Sequence, residues 1–254
     1  MISVVIITFN EEANIRRCLE AALKVADEII VVDSFSTDTT EKICKDMNVS
    51  FLSQEWQGYS KAKNFGNSQT QYPYILSLDA DEVLSEQLIQ SILDEKNNLS
   101  GAYQFNRLTN YAGKWVHHCG WYPDAKVRLF PKDKAQWGGD FVHETLQIDP
   151  NLEIKHLQGD LFHYSYKSTE DHRNRIHKYS DLHAQKMFSE GKKAGIVKLF
   201  LSPVAKFMRD YFFNLGFLDG KTGFDICRLS ALAVYKKYYK LRLLNKKNSV
   251  SINS

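Results

Sequence analysis

Three acidic side chains stand within four residues of one another in the stretch "YILSLDADEVLS", residues 74–85. Asp79, Asp81 and Glu82 follow an apolar run, and neighbouring carboxylates repel one another unless positive charge compensates them. Because Asp79 and Asp81 are separated by one residue, both can point to the same side at the end of a strand. Their oxygens suit Mg²⁺ or Mn²⁺, cations that commonly keep waters and take further ligands from substrate phosphates. The stretch therefore predicts a divalent-cation site that binds a diphosphate.

Helix capping is a simpler interpretation of the same acids. Carboxylates at the start of a helix that begins near Leu84 would stabilise it by only about 0.3–1 kcal/mol. Capping accounts for one acid at the start of a helix but not for three acids within four residues. A calcium loop of the EF-hand type is excluded, because the glycine at its sixth position would fall on Leu84.

The surrounding residues predict an alternation of strands and helices. Continuous apolar, β-branched runs such as "SVVIIT" and "EIIVVD" are typical of strands buried on both faces. Apolar residues at helical spacing follow, and the first helix is expected to begin near Glu11 or Glu12. Such an alternation forms a parallel sheet with right-handed crossovers, which binds ligands at the carboxyl ends of its strands. Three polar features fall at those ends, residues 8–11, Asp33 and residues 79–82, so one polar site is predicted there.

The second half of the chain has a different pattern. "GAYQFNRLTN" and "KVRLF" are expected to be strands of a more mixed sheet, and from Ser168 onward the pattern is helical. In the loop between the two strands, Trp115, Trp121 and Tyr122 either stack on a sugar or pack in the core. We therefore predict an α/β fold with a catalytic domain at residues 1–165 and a helical region at residues 166–254.

The composition is that of a soluble globular protein, with 254 residues of which 43% are hydrophobic and 25% charged. No secretory signal and no apolar run of about 20 residues is visible, so a cytoplasmic location is expected. The four cysteines form no C-x-x-C pair, which predicts packed, reduced thiols. Neither G-x-x-x-x-G-K-[ST] nor G-x-G-x-x-G occurs, which excludes the usual phosphate loops of NTPases and dinucleotide enzymes.

Charge is divided unevenly along the chain. Residues 1–165 carry a net charge of −8 and residues 166–254 one of +11. Residues 232–247 combine lysine, arginine, tyrosine and leucine without any acid. Such a helix either lies on an anionic cytoplasmic membrane leaflet, at about 1 kcal/mol per basic charge near the surface, or packs on the acidic surface of the first half of the chain or on another subunit. Nucleic-acid binding is disfavoured, because no recognition module is visible.

Four segments of the chain resemble the GT-A domain of family 2 glycosyltransferases: "VVIITFNEEANIRRCL", "EIIVVDSFSTDTT", "KAKNFGN" and "ILSLDADE", where D-A-D corresponds to the D-x-D motif. Through "RLF", "VHETL", "HYSY" and "GFLDGKTGF", the whole chain resembles the bacterial lipopolysaccharide core-type glucosyltransferases. The resemblance implies a GT-A fold, a Rossmann-like and largely parallel sheet flanked by helices, with a helical C-terminal extension. It further implies transfer of a hexose, expected to be glucose, from a UDP-sugar donor to a lipopolysaccharide core or other envelope glycan acceptor.

The resemblance also assigns roles to individual positions. The nucleotide would contact Thr8, Phe9, Glu11, Asp33, Lys63 and Asp79, and the cation would bind Asp81 and His163. Three of these side chains also have a purely structural interpretation. Thr8 could end a strand, Asp33 could cap a helix, and Lys63 could be a solvated lysine on a helix surface. The family more often has a second acid and a glycine after its second strand, where this chain has Ser34 and Phe35.

Inverting sugar transfer needs a base that takes the proton of the acceptor hydroxyl, and a carboxylate is suited to this role. The stretch "WGGDFVHETL" offers two acids. Glu144 corresponds to the acid on the acceptor side of the active site in the family that this chain resembles. It is therefore the predicted base, with Asp140 as the alternative. Two other functions remain open: a non-catalytic protein that binds sugar nucleotides, and a membrane-docking scaffold without nucleotide affinity.

Overall fold

A computed structural model describes residues 1–139 and 144–252, with side chains described as far as Lys246. The chain forms two compact units. The first unit comprises Met1–Leu108 and Asp124–Tyr164, and the second comprises Thr109–Pro123 and the chain from Ser165 onward. The loop between the two predicted mixed-sheet strands therefore belongs to the helical second unit.

The strands are β1 (Ile2–Thr8), β2 (Glu28–Asp33), β3 (Ser50–Ser53), β4 (Tyr74–Asp79), β5 (Glu82–Leu84), β6 (Ala102–Tyr111), β7 (Lys114–Val116), β8 (Ala125–Pro131), β9 (Ala135–Gly138), β10 (Thr145–Ile148) and β11 (Ile154–Tyr166). The helices are α1 (Ile15–Ala22), α2 (Thr40–Asp46), α3 (Tyr59–Gln69), α4 (Glu86–Glu95), α5 (Thr169–Ser189), α6 (Ile196–Met208) and α7 (Gly220–Ile252). A π-helical turn, Arg209–Phe213, and a 3₁₀ turn, Gly216–Asp219, connect α6 to α7.

The first unit is built on a parallel sheet in the order β3-β2-β1-β4, which β8, β6, β11 and β5 extend. β1 pairs in parallel with β2 and β4, whereas β8 pairs antiparallel with β4 and β6. β9 and β10 form a separate antiparallel pair. The predicted α/β fold, with a parallel half and a mixed half, is confirmed.

Both faces of β1 are covered, which explains its continuous apolar sequence. Ile2, Val4 and Ile6 pack with residues of α1 and α4 in one core cluster. Val5 packs with residues of β8 and β9 on the other face. Gly66 of α3 lets that helix approach the sheet closely, because a Cβ atom there would lie 2.4 Å from Cγ1 of Val5.

One predicted boundary is wrong. α1 begins at Ile15 rather than near Glu11 or Glu12, because residues 9–14 form a loop bonded to residues 36–40 after β2. The helix predicted near Leu84 is confirmed, since α4 begins at Glu86, directly after the short strand β5. The Ser85 hydroxyl caps α4 by accepting a hydrogen bond from the Leu88 amide at 3.2 Å.

The second unit is held together by α5, α6, α7 and an aromatic cluster. Ser168 caps α5 by accepting a hydrogen bond from the Asp171 amide at 3.1 Å. Trp121 stacks on Tyr166 with ring centroids 5.5 Å apart, and His172 lies against both rings. Burial lowers the pKa of His172 to about 4. Trp121 is therefore part of the packing of this unit, one of the two roles predicted for it.

The basic segment at residues 232–247 lies in α7, which packs against α5 and α6. Leu241 is fully buried, Lys240 pairs with Asp181 at 2.7 Å, and Arg242 donates to the Ala194 carbonyl at 2.8 Å. Part of this segment therefore packs on helices of its own unit, an environment that neither prediction named. Among the described residues, no helix has both the length and the hydropathy that a bilayer crossing requires.

All four cysteines are buried and free, which confirms the prediction of packed thiols. Burial raises the pKa of the Cys44 thiol to about 11. Such a thiol is protonated near neutral pH and therefore a weak nucleophile.

Candidate active site

The carboxyl ends of β1, β2 and β4 lie side by side at one edge of the sheet. Thr8 is paired with Asp33 in the β1–β2 register, and Ile7 is paired with Asp79 in the β1–β4 register. The structure thus brings together the three polar features that the sequence placed at strand ends. Thr8 is buried, and its hydroxyl oxygen has no hydrogen-bond partner among the described residues.

The loops after β1 and β2 are joined by hydrogen bonds. Asp33 accepts from the Ser36 amide at 2.8 Å and from the Ser36 hydroxyl at 2.5 Å. The Ser36 hydroxyl oxygen in turn accepts from the Asn10 amide at 2.7 Å, and the Thr37 amide donates to the Asn10 side chain at 2.8 Å. The Glu11 amide donates to Thr40 at 3.0 Å. These bonds fix the backbone around Thr8, Phe9, Glu11 and Asp33, whose contacts with a nucleotide remain predictions.

Two aromatic rings are exposed at this edge. Phe9 is 55% exposed and Phe35 is 58% exposed. Phe35 has φ +60°, a left-handed conformation that is unfavourable for a residue with a bulky side chain. The family that this chain resembles more often has a glycine at this position. Phe35 therefore adopts a backbone conformation that glycine adopts without strain.

The three clustered acids have three different environments. Glu82 is fully buried in β5 and pairs with Arg128 at 2.6 Å, and it also accepts a hydrogen bond from the Asp79 amide at 3.0 Å. Asp79 pairs with Lys63 at 3.0 Å and with Arg128 at 3.1 Å. Burial disfavours the charged form of Asp79, but Lys63 and Arg128 outweigh it and hold the pKa of this carboxyl well below its usual range. Glu82 is thus a structural residue that orients Asp79 and Arg128.

Asp81 lies beside His163 rather than beside the arginine. Oδ2 of Asp81 is 3.3 Å from Nε2 of His163, and the Asp81 carbonyl accepts from the Tyr164 amide at 2.9 Å. The antiparallel pairing of β5 with β11 brings the two residues close along the chain, because it sets His163 opposite Glu82, the residue that follows Asp81. Two donor atoms that each bind one cation at about 2.1 Å are at most about 4 Å apart. The observed separation and the oxygen and imidazole donors therefore fit one Mg²⁺ or Mn²⁺.

No group of three or more His, Cys, Asp or Glu residues that could hold a metal occurs in the described part of the chain. A cation at Asp81 and His163 would therefore need further ligands from water or substrate. The cation and its diphosphate ligands remain predictions.

Lys63 is buried at the centre of the site rather than solvated. Its ammonium lies 3.0 Å from Asp79, 3.7 Å from Oε1 of Glu144 and 4.4 Å from the centroid of the Trp137 ring. The Asn64 side chain donates to the Trp137 carbonyl at 2.7 Å and accepts from its amide at 3.0 Å. α3 therefore holds β9 in place. Asp140, the alternative base, lies outside the described residues.

Sequence reasoning missed the roles of Arg128 and Trp137. "RLF" was recognised only as a family landmark, although an arginine within an apolar strand signals a buried ion pair. Arg128 is 4% exposed, and its guanidinium lies 5.8 Å from the centroid of the Trp137 ring. The Trp137 ring therefore lies against two cations, Lys63 and Arg128.

Comparison with known sequences finds that the family described as "Glycosyl transferase family 2" matches residues 3–145. An uncharacterized glycosyltransferase of Rickettsia typhi is 31% identical over 258 residues, which cover 97% of this chain and 88% of that protein. The lipopolysaccharide core biosynthesis glycosyltransferase LpsC of Rhizobium meliloti is 28% identical over 93% of this chain and 93% of its own length.

Comparison with solved structures finds more distant similarity. TarS 1–349 of S. aureus, in complex with UDP-GlcNAc, aligns with 98% of this chain and 92% of its own chain, with a TM-score of 0.47 and 13% identity. Glucosyl-3-phosphoglycerate synthase of Mycobacterium tuberculosis, in complex with Mn²⁺, UDP and glucosyl-3-phosphoglycerate, aligns with 52% of this chain and 57% of its own. Its TM-score is 0.41 and its identity 18%.

Proposed function

The chain belongs to glycosyl transferase family 2, and from that premise we propose an inverting transferase of the GT-A fold that uses a divalent cation and a UDP-hexose donor. The observation that carries the proposal is the adjacency of two groups of residues at one sheet edge. Asp81 and His163 form a pair of cation ligands, and Asp79, Lys63 and Glu144 form a chain of charges beside them. The first group serves the departing diphosphate, and the second holds the base for the acceptor.

In the proposed reaction, Glu144 accepts the proton of an acceptor hydroxyl as that oxygen attacks the anomeric carbon of the donor. The bond from the anomeric carbon to the diphosphate oxygen breaks with inversion, and UDP leaves with the bonding electron pair. The Lys63 ammonium, 3.7 Å away, holds the Glu144 carboxylate in position. A bound cation at Asp81 and His163 would supply charge stabilisation for the leaving group.

We propose glucose as the hexose and a lipopolysaccharide core or other envelope glycan as the acceptor. Support comes from the resemblance of the whole chain to core-type glucosyltransferases and from the relative LpsC, which matches over nearly the full length of both chains. An acceptor anchored in a membrane would place the enzyme in the cytoplasm, peripheral to the inner face of the bacterial cytoplasmic membrane.

The decisive experiment is a donor screen that measures UDP release from several UDP-sugars with a core oligosaccharide acceptor, with and without Mn²⁺. We expect release from UDP-glucose only when both Mn²⁺ and acceptor are present. Asp81→Asn should abolish cation-dependent UDP binding in a calorimetric titration while circular dichroism stays unchanged, because a carboxylate at a strand end contributes little to the core.

Two results would overturn the proposal. UDP binding without release under any donor and acceptor would point to a non-catalytic protein that binds sugar nucleotides. Absence of nucleotide affinity, together with binding to vesicles, would point to a membrane-docking scaffold.

A further inference from the structure

The second unit exposes a continuous series of large apolar side chains on α6 and the π-helical turn that follows it. They recur at helical spacing along one side, and their exposed fractions run from 44% to 80%. We call this surface the α6 face, and its residues are Ile196, Val197, Phe200, Leu201, Val204, Met208, Phe212 and Phe213. A series of large apolar side chains exposed together in this way marks an interaction site.

The α6 face is separate from the side of α6 that packs within the unit. Leu199 is buried, and the Phe207 ring packs edge-on against Phe224 of α7 with centroids 5.9 Å apart. α6 therefore already has an inward side, and most of the α6 face lies away from it. Two of its rings meet the inward side: the Phe200 centroid lies 6.3 Å from that of Tyr235 of α7, and the Phe212 centroid lies 5.2 Å from that of Tyr211.

Positive charge surrounds the α6 face. Residues 191–209 contain five basic residues and no acid: Lys192, Lys193, Lys198, Lys206 and Arg209. The flanking acids are Glu190, which pairs with Lys192, and Asp210, which is buried and pairs with Lys206 and Arg209. Lys193 and Lys198 have no acid within ion-pair distance among the described residues. Residues 166–254 as a whole hold 18 lysines and arginines against 7 acids. A surface with apolar residues inside a basic surround is complementary to an anionic lipid headgroup layer.

We propose that the α6 face docks this protein onto an anionic phospholipid bilayer, with its apolar side chains below the headgroups and its lysines among them. The 13 residues of α6 span about 20 Å, which is less than the roughly 30 Å of a bilayer's hydrocarbon core. The helix therefore lies in the plane of the interface. This inference rests on the proposed membrane location and assigns its surface to α6 rather than to residues 232–247.

A second copy of the chain is the other occupant to consider. It would bring two regions of like net charge together, which disfavours association. A bilayer with anionic lipid attracts the same region. Charge therefore favours the membrane.

The experiment is sedimentation of the full-length protein with vesicles, without any nucleotide or acceptor. The double variant Leu201→Ser/Phe213→Ser removes two exposed side chains from the α6 face and leaves the inward side of α6 intact. We expect at least tenfold weaker partitioning onto vesicles of phosphatidylglycerol and phosphatidylethanolamine. Wild-type binding to pure phosphatidylcholine vesicles should also be at least tenfold weaker.

The matched control is Leu23→Ser/Ile154→Ser, which removes two exposed apolar residues of the first unit. We expect it to bind vesicles as the wild type does. UDP release with a water-soluble acceptor should be the same in all three proteins, so loss of docking is distinguishable from failure of the proposed chemistry.

Two outcomes would overturn the inference. One is equal partitioning of the α6-face variant and the wild type. The other is a wild-type dimer in size-exclusion chromatography that the variant converts to a monomer, which would assign the α6 face to a second copy.

Discussion

At the scale of single residues, the site depends on side chains that share partners. Lys63 contacts both Asp79 and Glu144, and Arg128 contacts both Asp79 and Glu82. Each carboxylate is therefore oriented by a cation that is itself fixed by a second acid. Substitutions at this site should separate binding from turnover according to which acid they remove.

Glu144→Gln should keep donor binding and lose turnover. Lys63 retains its contact with Asp79, so the donor side of the site keeps its geometry, while the amide cannot take a proton. We expect an unchanged dissociation constant for UDP-glucose by calorimetry and a loss in kcat of about 10² or more. Glu153→Gln, which changes an exposed acid of the same unit, is the control. If Glu144→Gln retains turnover, Glu144 is not the base and the role falls to the alternative, Asp140.

Asp79 should make the stability of the protein depend on pH. Its pKa in the folded protein lies below its usual range of about 3.9. Such a group contributes stability above the unfolded-state pKa, and this contribution is lost as the pH falls through the folded-state pKa. We expect the difference in unfolding free energy between wild type and Asp79→Asn to be full at neutral pH and to narrow below about pH 4. Urea unfolding at a series of pH values measures it, and a constant difference would contradict the expectation.

Phe35→Gly should stabilise the fold. A bulky residue in the left-handed region costs about 1–2 kcal/mol, and part of this gain is offset by the greater freedom of glycine in the unfolded chain. We expect an increase of roughly 0.5–1 kcal/mol in unfolding free energy. Phe9→Gly is the matched control, since Phe9 is almost equally exposed and has no positive φ. That variant should lose stability, and a loss in Phe35→Gly would show that the ring stabilises the fold.

At the scale of secondary structure, α3 is the element that assembles the site. It carries Lys63, its Asn64 holds β9 at Trp137, and its Ser60 hydroxyl donates to the Gly138 carbonyl at 2.9 Å. Its distance from the sheet depends on Gly66. A change in that distance would move all these contacts together.

Gly66→Ala should destabilise the protein and lower its activity. The added Cβ would lie 2.4 Å from Val5 and 2.9 Å from Val32, and overpacking of a core typically costs about 1–3 kcal/mol. Gly195→Ala is the control for steric contact, because no heavy atom beyond its chain neighbours lies within 4 Å of its Cβ position and its φ is −70°. Gly195 is the N-cap of α6, so this variant should lose only the roughly 0.5–1 kcal/mol of a poorer cap. Unfolding free energy and kcat/KM measure the two effects. Equal stability of both variants would show that α3 can shift without cost.

The sequence predicted the secondary structure correctly where the pattern of a single element is sufficient. The apolar run of β1 identified a buried strand, and the order of strands and helices identified the parallel sheet. The buried ion pair of Glu82 could not be predicted from the sequence, because its partner Arg128 is 46 residues away along the chain. Residues 232–247 were equally ambiguous, since their amphipathic pattern suits a membrane as well as the contacts with α5 and α6 that the structure shows.

At the scale of the whole molecule, charge and chemistry are assigned to different parts of the chain. The described site residues belong to the first unit, whereas the basic residues are concentrated from residue 166 onward. A protein of this kind can be held at an anionic surface by one part while another part carries out catalysis.

Ionic strength should therefore affect turnover only when the acceptor is in a membrane. Raising it from about 0.05 M to about 0.5 M shortens the Debye length from more than 10 Å to a few ångströms and weakens attraction to anionic lipid. We expect turnover on acceptor embedded in phosphatidylglycerol vesicles to fall several-fold more than turnover on a water-soluble acceptor in the same buffers. Parallel losses with both acceptors would place the salt effect at the active site instead.

The pairing of Lys63 and Arg128 with Asp79 and Glu82 makes this group of four formally neutral. We therefore expect these two basic side chains to give a polyanionic donor little net electrostatic attraction. On the proposed function, charge compensation for the nucleotide would then come from a bound cation, and a dependence on added metal would follow from the neutrality of this group as much as from the ligands beside it.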